Sequence, residues 1–396
     1  MFELEEVGAP EADASSTVIK VVGVGGAGGN AVEHMIREGV GGVEFICCNT
    51  DAQALKKSSA DVKLQLGPGL GAGGKPEKAR ELAIQDRARI AEALTGAHMV
   101  FITAGMGGGT GTGAGPVVAE VARELGILTV AVVTKPFEYE GKRKRLAEEG
   151  VAELARHVDS LIIILNEKLE EVLGDEVSML EAFQAADNVL RNAVGGIAEI
   201  INVPGLVNVD FEDVRTVMGE MGKAMMGSAV SAGVDRARVA AEEAVASPLL
   251  EGIELSGARG VLVNITASTT LGLKEYKEVM KTIRQYTAPE ATVICGAVFD
   301  EGMEDRLRVT VVATGLGVVA TREAAKPKMT VVETVGLRTG TDNLQVYDVA
   351  MTQGAVDLSS VTSSARGGPR NAQADAMAAS GVDKYDIPAF LRRQSD

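Results

Sequence analysis

Cysteine and histidine are scarce: the 396-residue chain holds three of each. Cys47 and Cys48 adjoin in FICCNTD and Cys295 lies far away in another apolar run, so neither a disulfide framework nor a zinc spacing can be built. Buried core thiols are expected instead. His34, His98 and His157 are scattered along the sequence, which points to structural or solvated imidazoles and to no protein-held metal cluster. Positive charge is short as well. With 39 Lys and Arg against 55 Asp and Glu the formal net charge is −16, and KRKR at 142–145 is the one dense basic run. A nucleic-acid or anionic-membrane surface needs dense positive charge, so neither partner is expected. Long apolar runs are missing too: nothing approaches the ~18 residues that span a bilayer. The N-terminal MFELEEVGAPEADASS is acidic where a secretion signal would be basic and then apolar. A cytoplasmic location without direct membrane insertion is the expectation.

What the chain does have is glycine, 47 residues of it, within a composition that is 46% hydrophobic and so able to fill substantial cores. From about 17 to 165 the runs VIKVVGVG, VEFICCNT, VKLQLG, MVFITAG, LTVAVVT and SLIIILN alternate with helical patterns. These β-branched runs lack polar alternation, which predicts strands buried on both faces of a parallel, Rossmann-like, doubly wound α/β sheet with ligands at the carboxyl ends of its strands. Residues 178–202 form one long helical pattern ending before Pro204 and Gly205, a spine between domains. A second α/β unit follows, with helical stretches near 211–224 and 235–246, strand GVLVNIT, helix KEYKEVMKTIRQY and strands TVICGAVF and RLRVTVVAT. The resulting division is an N-terminal extension at 1–16, a nucleotide domain at 17–177, a central helix at 178–203, a C-terminal domain at 204–318, a flexible linker at 319–382 and a terminal peptide at 383–396. The linker is broken by VVETVGL and LQVYDV; the terminal DKYDIPAFLRRQSD reads either as a docking peptide or as a frayed end.

Three glycine loops follow strands. GMGGGTGTG at 105–113 has six glycines in nine positions and leads into GPVVAEVARELG, which puts Pro116 in the first turn of a helix. Strand, glycine loop and helix together offer free amides and the positive end of a helix dipole to a phosphate. The lysine of a standard P-loop is absent, so amides, the hydroxyls of Thr110 and Thr112 and a metal ion have to neutralise the charge. GVGGAGGNA carries Gly23, Gly25 and Gly28 at dinucleotide-fingerprint spacing, with Asp51 a further 23 residues on, which by itself suggests an NAD-dependent oxidoreductase. GLGAGGKPEKAR supplies the third loop, and three such loops suit a triphosphate better than a dinucleotide.

On the long helix Phe183 and Asp187 stand four apart and share a face. An aromatic face can stack on a purine, and a carboxylate can accept from the N1 and 2-amino groups of guanine; a plain amphipathic helix with Phe183 in the core and Asp187 in solvent fits the spacing equally. In NVDFEDVRTVM, Asp210 and Asp213 have N-cap and first-turn spacing, and they can also polarise water and hold Mg²⁺-bound water for phosphoryl transfer.

GGGTGTG after MVFITAGM, with NVDFEDVRTVM and the terminal DIPAFLRR, resembles the tubulin and FtsZ superfamily of GTPases, and specifically its bacterial cell-division branch. The similarity runs through residues 17–317 and resumes at 383–396. It implies a GTP-dependent, filament-forming protein of the division ring that hydrolyses GTP to GDP between consecutive subunits with Mg²⁺. On this resemblance Gly25, Gly26, Asn30, Gly71, Ala72, Gly73, Gly74, Gly107, Gly108, Gly109, Thr110, Gly111 and Thr112 surround the phosphates. Glu140 meets the ribose, Lys144 stands where an arginine is common among relatives, and Asn166, Phe183 and Asp187 meet the base, with Leu165 replacing a frequent proline. Asn208, Asp210 and Asp213 correspond to the catalytic loop that enters the next subunit's site. The implied partners are further copies of the chain, head to tail, and membrane adaptors and division regulators at 383–396.

Overall fold

The computed structural model describes residues 17–174, 177–203, 209–220, 222–247 and 257–316. The extension at 1–16, Asn208, the linker at 319–382 with VVETVGL and LQVYDV, and the terminal peptide at 383–396 lie outside the described residues.

The first half alternates as the β-branched runs require: β1 (Ile19–Val24), α1 (Gly25–Arg37), β2 (Glu44–Asn49), α2 (Ala52–Lys57), β3 (Val62–Gln65), α3 (Pro76–Gln85), α4 (Arg87–Leu94), β4 (Met99–Gly105), α5 (Thr110–Glu124), β5 (Leu128–Lys135), α6 (Lys142–Leu154), β6 (Ser160–Leu165) and α7 (Asn166–Leu173). The spine α8 (Met179–Asn202) leads to α9 (Phe211–Met218), β7 (Gly222–Ala232), α10 (Arg236–Val245), β8 (Gly260–Ala267), α11 (Leu273–Tyr286), β9 (Thr292–Phe299) and β10 (Arg306–Leu316). All ten strands join one sheet in the order β3-β2-β1-β4-β5-β6-β7-β10-β8-β9. Neighbours are parallel from β3 through β7, while β10 runs antiparallel to both β7 and β8.

Apolar residues on both sheet faces explain the two-sided covering. Val21, Phe101 and Val130 pack with Met35 of α1 and Leu190, Val194 and Ile197 of α8, while Val22, Ile102 and Ala131 pack with Val117 of α5, Ile90 of α4 and Leu154 of α6. A third cluster joins Val263 and Val309 to Ala240 of α10 and Ile283 of α11. Ser178 starts the spine with a reciprocal capping box to Glu181.

Three sequence expectations need correction. Helix α5 starts at Thr110, inside the glycine loop, and Pro116 sits in its interior. A helix beginning in glycines has no apolar period to mark its start, and proline is the wrong signpost there. The helical stretch proposed for 211–224 stops at Met218, and Gly222–Ala232 is a strand. Its small residues carry little strand propensity; pairing with β6 and β10 decides its state. That strand also joins the two expected α/β units into one sheet. Cys47 and Cys48 are buried as expected, whereas Cys295 is half-buried. Among the described residues no group of acids, histidines and cysteines is arranged to hold a metal, and no helix is long and apolar enough to cross a membrane.

Candidate nucleotide site

Strand order reverses between β1 and β4, where crossovers to the two sides leave a crevice at the strands' carboxyl ends. Helices α1 and α5 both start there. Gly25 opens α1 at φ 79°, and a Cβ on it would lie 2.9 Å from the Gly111 nitrogen, so the two helix starts nearly touch. The loop before α3 closes a third side. Gly71 N–H donates to the Thr50 carbonyl (2.8 Å), Ala52 N–H donates to the Gly69 carbonyl (3.0 Å), and the hydroxyls of Thr50 and Thr110 meet at 2.7 Å. A Cβ on Gly109 would come within 3.0 Å of the Ala72 Cβ. The three glycine loops therefore converge on one seat.

Gly26 and Gly108 have ordinary φ values and nothing within 4 Å of the position a Cβ would take. Protein packing does not require glycine at either place, whereas an anion lying against the backbone does. At α5 the first intrahelical bond runs from Gly113 N–H to the Gly109 carbonyl, leaving the N–H groups of Thr110, Gly111 and Thr112 without helical partners. Thr112 turns its side chain inward: its hydroxyl accepts from Gly107 N–H at 2.9 Å, so it ties the loop and faces the seat through its amide alone. A cavity of about 320 Å³ adjoins Gly25, Gly26 and Asn30 and is walled beyond them by Glu33, Asn49, Asp51 and Ser58. It reaches neither the loops at 71–74 and 107–112 nor Asn166, Phe183 and Asp187; Asn166 follows β6, and Phe183 packs on Phe137 after β5, on another flank of the sheet's carboxyl ends.

On that flank Glu140 ends a short turn after β5, accepts from Phe137 N–H at 3.1 Å and pairs with Arg143. Lys144 pairs instead with Glu138. The Arg143 carbonyl lies against Gly107, placing Arg143 at the lip of the glycine loop. Sequence reasoning assigned no role to Arg143 or Thr50; the position of Thr50 directly after β2 was the available signal. Asn166, at the junction of β6 and α7, is buried and its carboxamide oxygen has no partner. Phe183 is 48% exposed and edge-on to Phe137. Asp187 makes no hydrogen bond or ion pair among the described residues, and burial, offset in part by His34 and Arg37, pushes its carboxyl up to about 6. The arrangement with Phe183 in the core and Asp187 in solvent is thereby reversed. Phe183 and Asp187, one turn apart on α8, offer a half-exposed ring and an unpartnered carboxylate, and Asn166 an unpartnered amide oxygen after β6, groups able to meet a planar base with N–H donors.

The remaining acids stand elsewhere. Asp210 caps α9, accepting from Asp213 N–H at 2.8 Å, and Asp210 and Asp213 are both exposed. Phe211 between them packs edge-on to His98, ring centroids 6.1 Å apart. His98 precedes β4 at its amino end, while the glycine loop leaves β4 at its carboxyl end, about 20 Å away at ~3.3 Å per residue. One chain cannot bring Asp213 to its own glycine loops.

A crevice at the switch point, ringed by three glycine loops and flanked by a long central helix, defines a GTPase of the tubulin type. The tubulin/FtsZ family GTPase domain matches residues 18–174, and the FtsZ family C-terminal domain matches residues 222–317. The cell division protein FtsZ of Pseudomonas aeruginosa is 53% identical over 97% of this chain and 98% of its own length, and that of Coxiella burnetii is 52% identical over 99% of each. An FtsZ dimer from M. jannaschii superposes with a TM-score of 0.74 at 44% identity, covering 78% of this chain and 90% of that one. A GTPgS-bound protofilament of CetZ2 from Haloferax volcanii, 22% identical with a TM-score of 0.65 over 76% of this chain and 94% of that one, shares the fold. The chain belongs to the FtsZ family.

Proposed function

We propose that this filament-forming GTPase of cell division assembles each active site from two subunits, one supplying the nucleotide seat and the next supplying Asp210, Asp213 and Asn208. The observation that carries the reading is the position of Asp213, at the opposite end of β4 from the glycine loops. A contact joining the loop end of one molecule to the α9 end of another is heterologous and does not close on itself, so it propagates a filament.

In this reading the amides of Gly25, Gly26, Gly71 to Gly74 and Gly107 to Thr112 hold the phosphates, Glu140 and Arg143 meet the ribose side, and Asn166, Phe183 and Asp187 hold guanine. Bound Mg²⁺ would supply further charge neutralisation to the triphosphate, beside the loop amides and the hydroxyl of Thr110. Asp210 and Asp213 orient and polarise the attacking water, and loss of the γ-phosphate weakens the junction. The domain limits at 17–177 and 204–318, the linker at 319–382, an adaptor-binding peptide at 383–396 and a cytoplasmic place at the division site complete the proposal. The test is phosphate release against protein concentration. Activity per molecule should rise from almost nothing above a threshold that coincides with light scattering; a rate proportional to concentration down to dilutions without polymer overturns the divided site.

A further inference from the structure

His34 is a buried histidine on α1 with no part in the nucleotide seat as described so far. It stands one turn beyond Asn30 and reaches across to α8. Its Nδ1 lies 2.5 Å from an Arg37 guanidinium nitrogen, and its Nε2 lies 2.7 Å from the Asn188 carboxamide oxygen. Guanidinium only donates, so Nδ1 is the unprotonated acceptor and Nε2 carries the proton given to Asn188. The resulting chain, Arg37 to His34 to Asn188, is fixed in direction and couples two helices whose residues are 154 apart in sequence.

Those helices hold opposite ends of one ligand. The start of α1 faces the phosphates through Gly25 and Gly26, while α8 presents Phe183 and Asp187 to the base. Asn188 directly follows Asp187, and the positive charge of Arg37 acts on the Asp187 carboxylate. A carboxylate that makes no hydrogen bond of its own is placed by the backbone beneath it, and a bond on the adjacent residue sets that backbone.

We propose that the Arg37–His34–Asn188 chain is a positioning device for nucleobase selection, holding Asp187 at the distance from the phosphate seat that lets one carboxylate accept from both N1–H and the 2-amino group of guanine. The proposal rests on Asp187 reading guanine. Inosine triphosphate, which lacks only the 2-amino group, is the probe that separates placement from general integrity.

Dissociation constants for GTP and ITP are measured on the full chain below its assembly threshold. His34→Ala should weaken GTP about tenfold and ITP less than threefold, narrowing the ratio between them. His34→Gln, whose amide can accept from Arg37 and donate to Asn188, should restore most of the ratio. Asn188→Ala, at the exposed end of the chain, should narrow the ratio as His34→Ala does and serves if the buried variant does not fold. A wild-type ratio in folded His34→Ala or Asn188→Ala, an equal loss for both nucleotides, or no rescue by glutamine overturns the proposal. Asp187→Ala tells the two claims apart. If it keeps the wild-type ratio, guanine reading by Asp187 fails; if it loses the ratio while the His34 and Asn188 variants keep it, the positioning device alone fails.

Discussion

Reading guanine would give Asp187 opposite pH signatures in the empty and the loaded chain. Burial raises its carboxyl from 3.8 to about 6, so without nucleotide its contribution to stability is complete below its ordinary value and is lost as pH rises through 6. In the proposed reading guanine binding needs the charged form. Lowering the pH from 7 to 5 should therefore stabilise the empty chain relative to Asp187→Asn while weakening GTP binding, up to about tenfold per pH unit below 6. GTP titrations and thermal melts at both pH values, run on wild type and Asp187→Asn, check this; equal slopes for the two proteins would assign the effect to groups other than Asp187. At fixed neutral pH Asp187→Ala should weaken GTP well over tenfold, since two charge-assisted hydrogen bonds of about 1.5 to 3 kcal/mol each are lost.

Helix α9 tests whether catalysis depends on an element remote from the ligand. Its first turn is anchored by the Phe211 ring on His98. Phe211→Ala should leave GTP affinity of the monomer within about twofold and reduce kcat roughly tenfold or more, because displaced acids of one subunit fail the next; unchanged turnover in filaments would argue against that anchor. At this scale the sequence was readable where chemistry is local. The strand–loop–helix order around GMGGGTGTG and the long spine follow from glycine signals and from the apolar period of residues 178–202. Elements fixed by distant pairing were not readable. Strand β7, rich in Gly, Ala, Ser and Met, owes its state to β6 and β10. Pairing of Lys144 with Glu138 and of Arg143 with Glu140 depends on the turn between β5 and α6, which charge order alone does not give. Phe183 and Asp187 left two opposite readings open until the packing of α8 against α1 put one side chain half in solvent and the other half out of it.

In the proposed reading the chain is a building block whose two ends carry different halves of the active site. A 64-residue segment at 319–382 behaving as flexible coil would span about 45 Å, enough for DIPAFLRR to reach a partner beside the filament. Deleting 383–396 should spare assembly and phosphate release and abolish capture by a membrane adaptor; equal capture by the truncated chain would remove the terminal peptide from the account. The two ends are tested most directly by mixing two crippled chains. Asp213→Ala keeps its glycine loops and should bind GTP yet barely hydrolyse it. Thr110→Arg puts a long cation into the phosphate loop and should bind GTP poorly, while its own Asp210 and Asp213 stay competent. A junction between an Asp213→Ala subunit holding GTP and a Thr110→Arg subunit offering acids has every functional part. Phosphate release by the mixture should exceed the sum of the two proteins measured alone, whereas verified co-assembly with no activity above that sum would contradict catalysis shared between subunits.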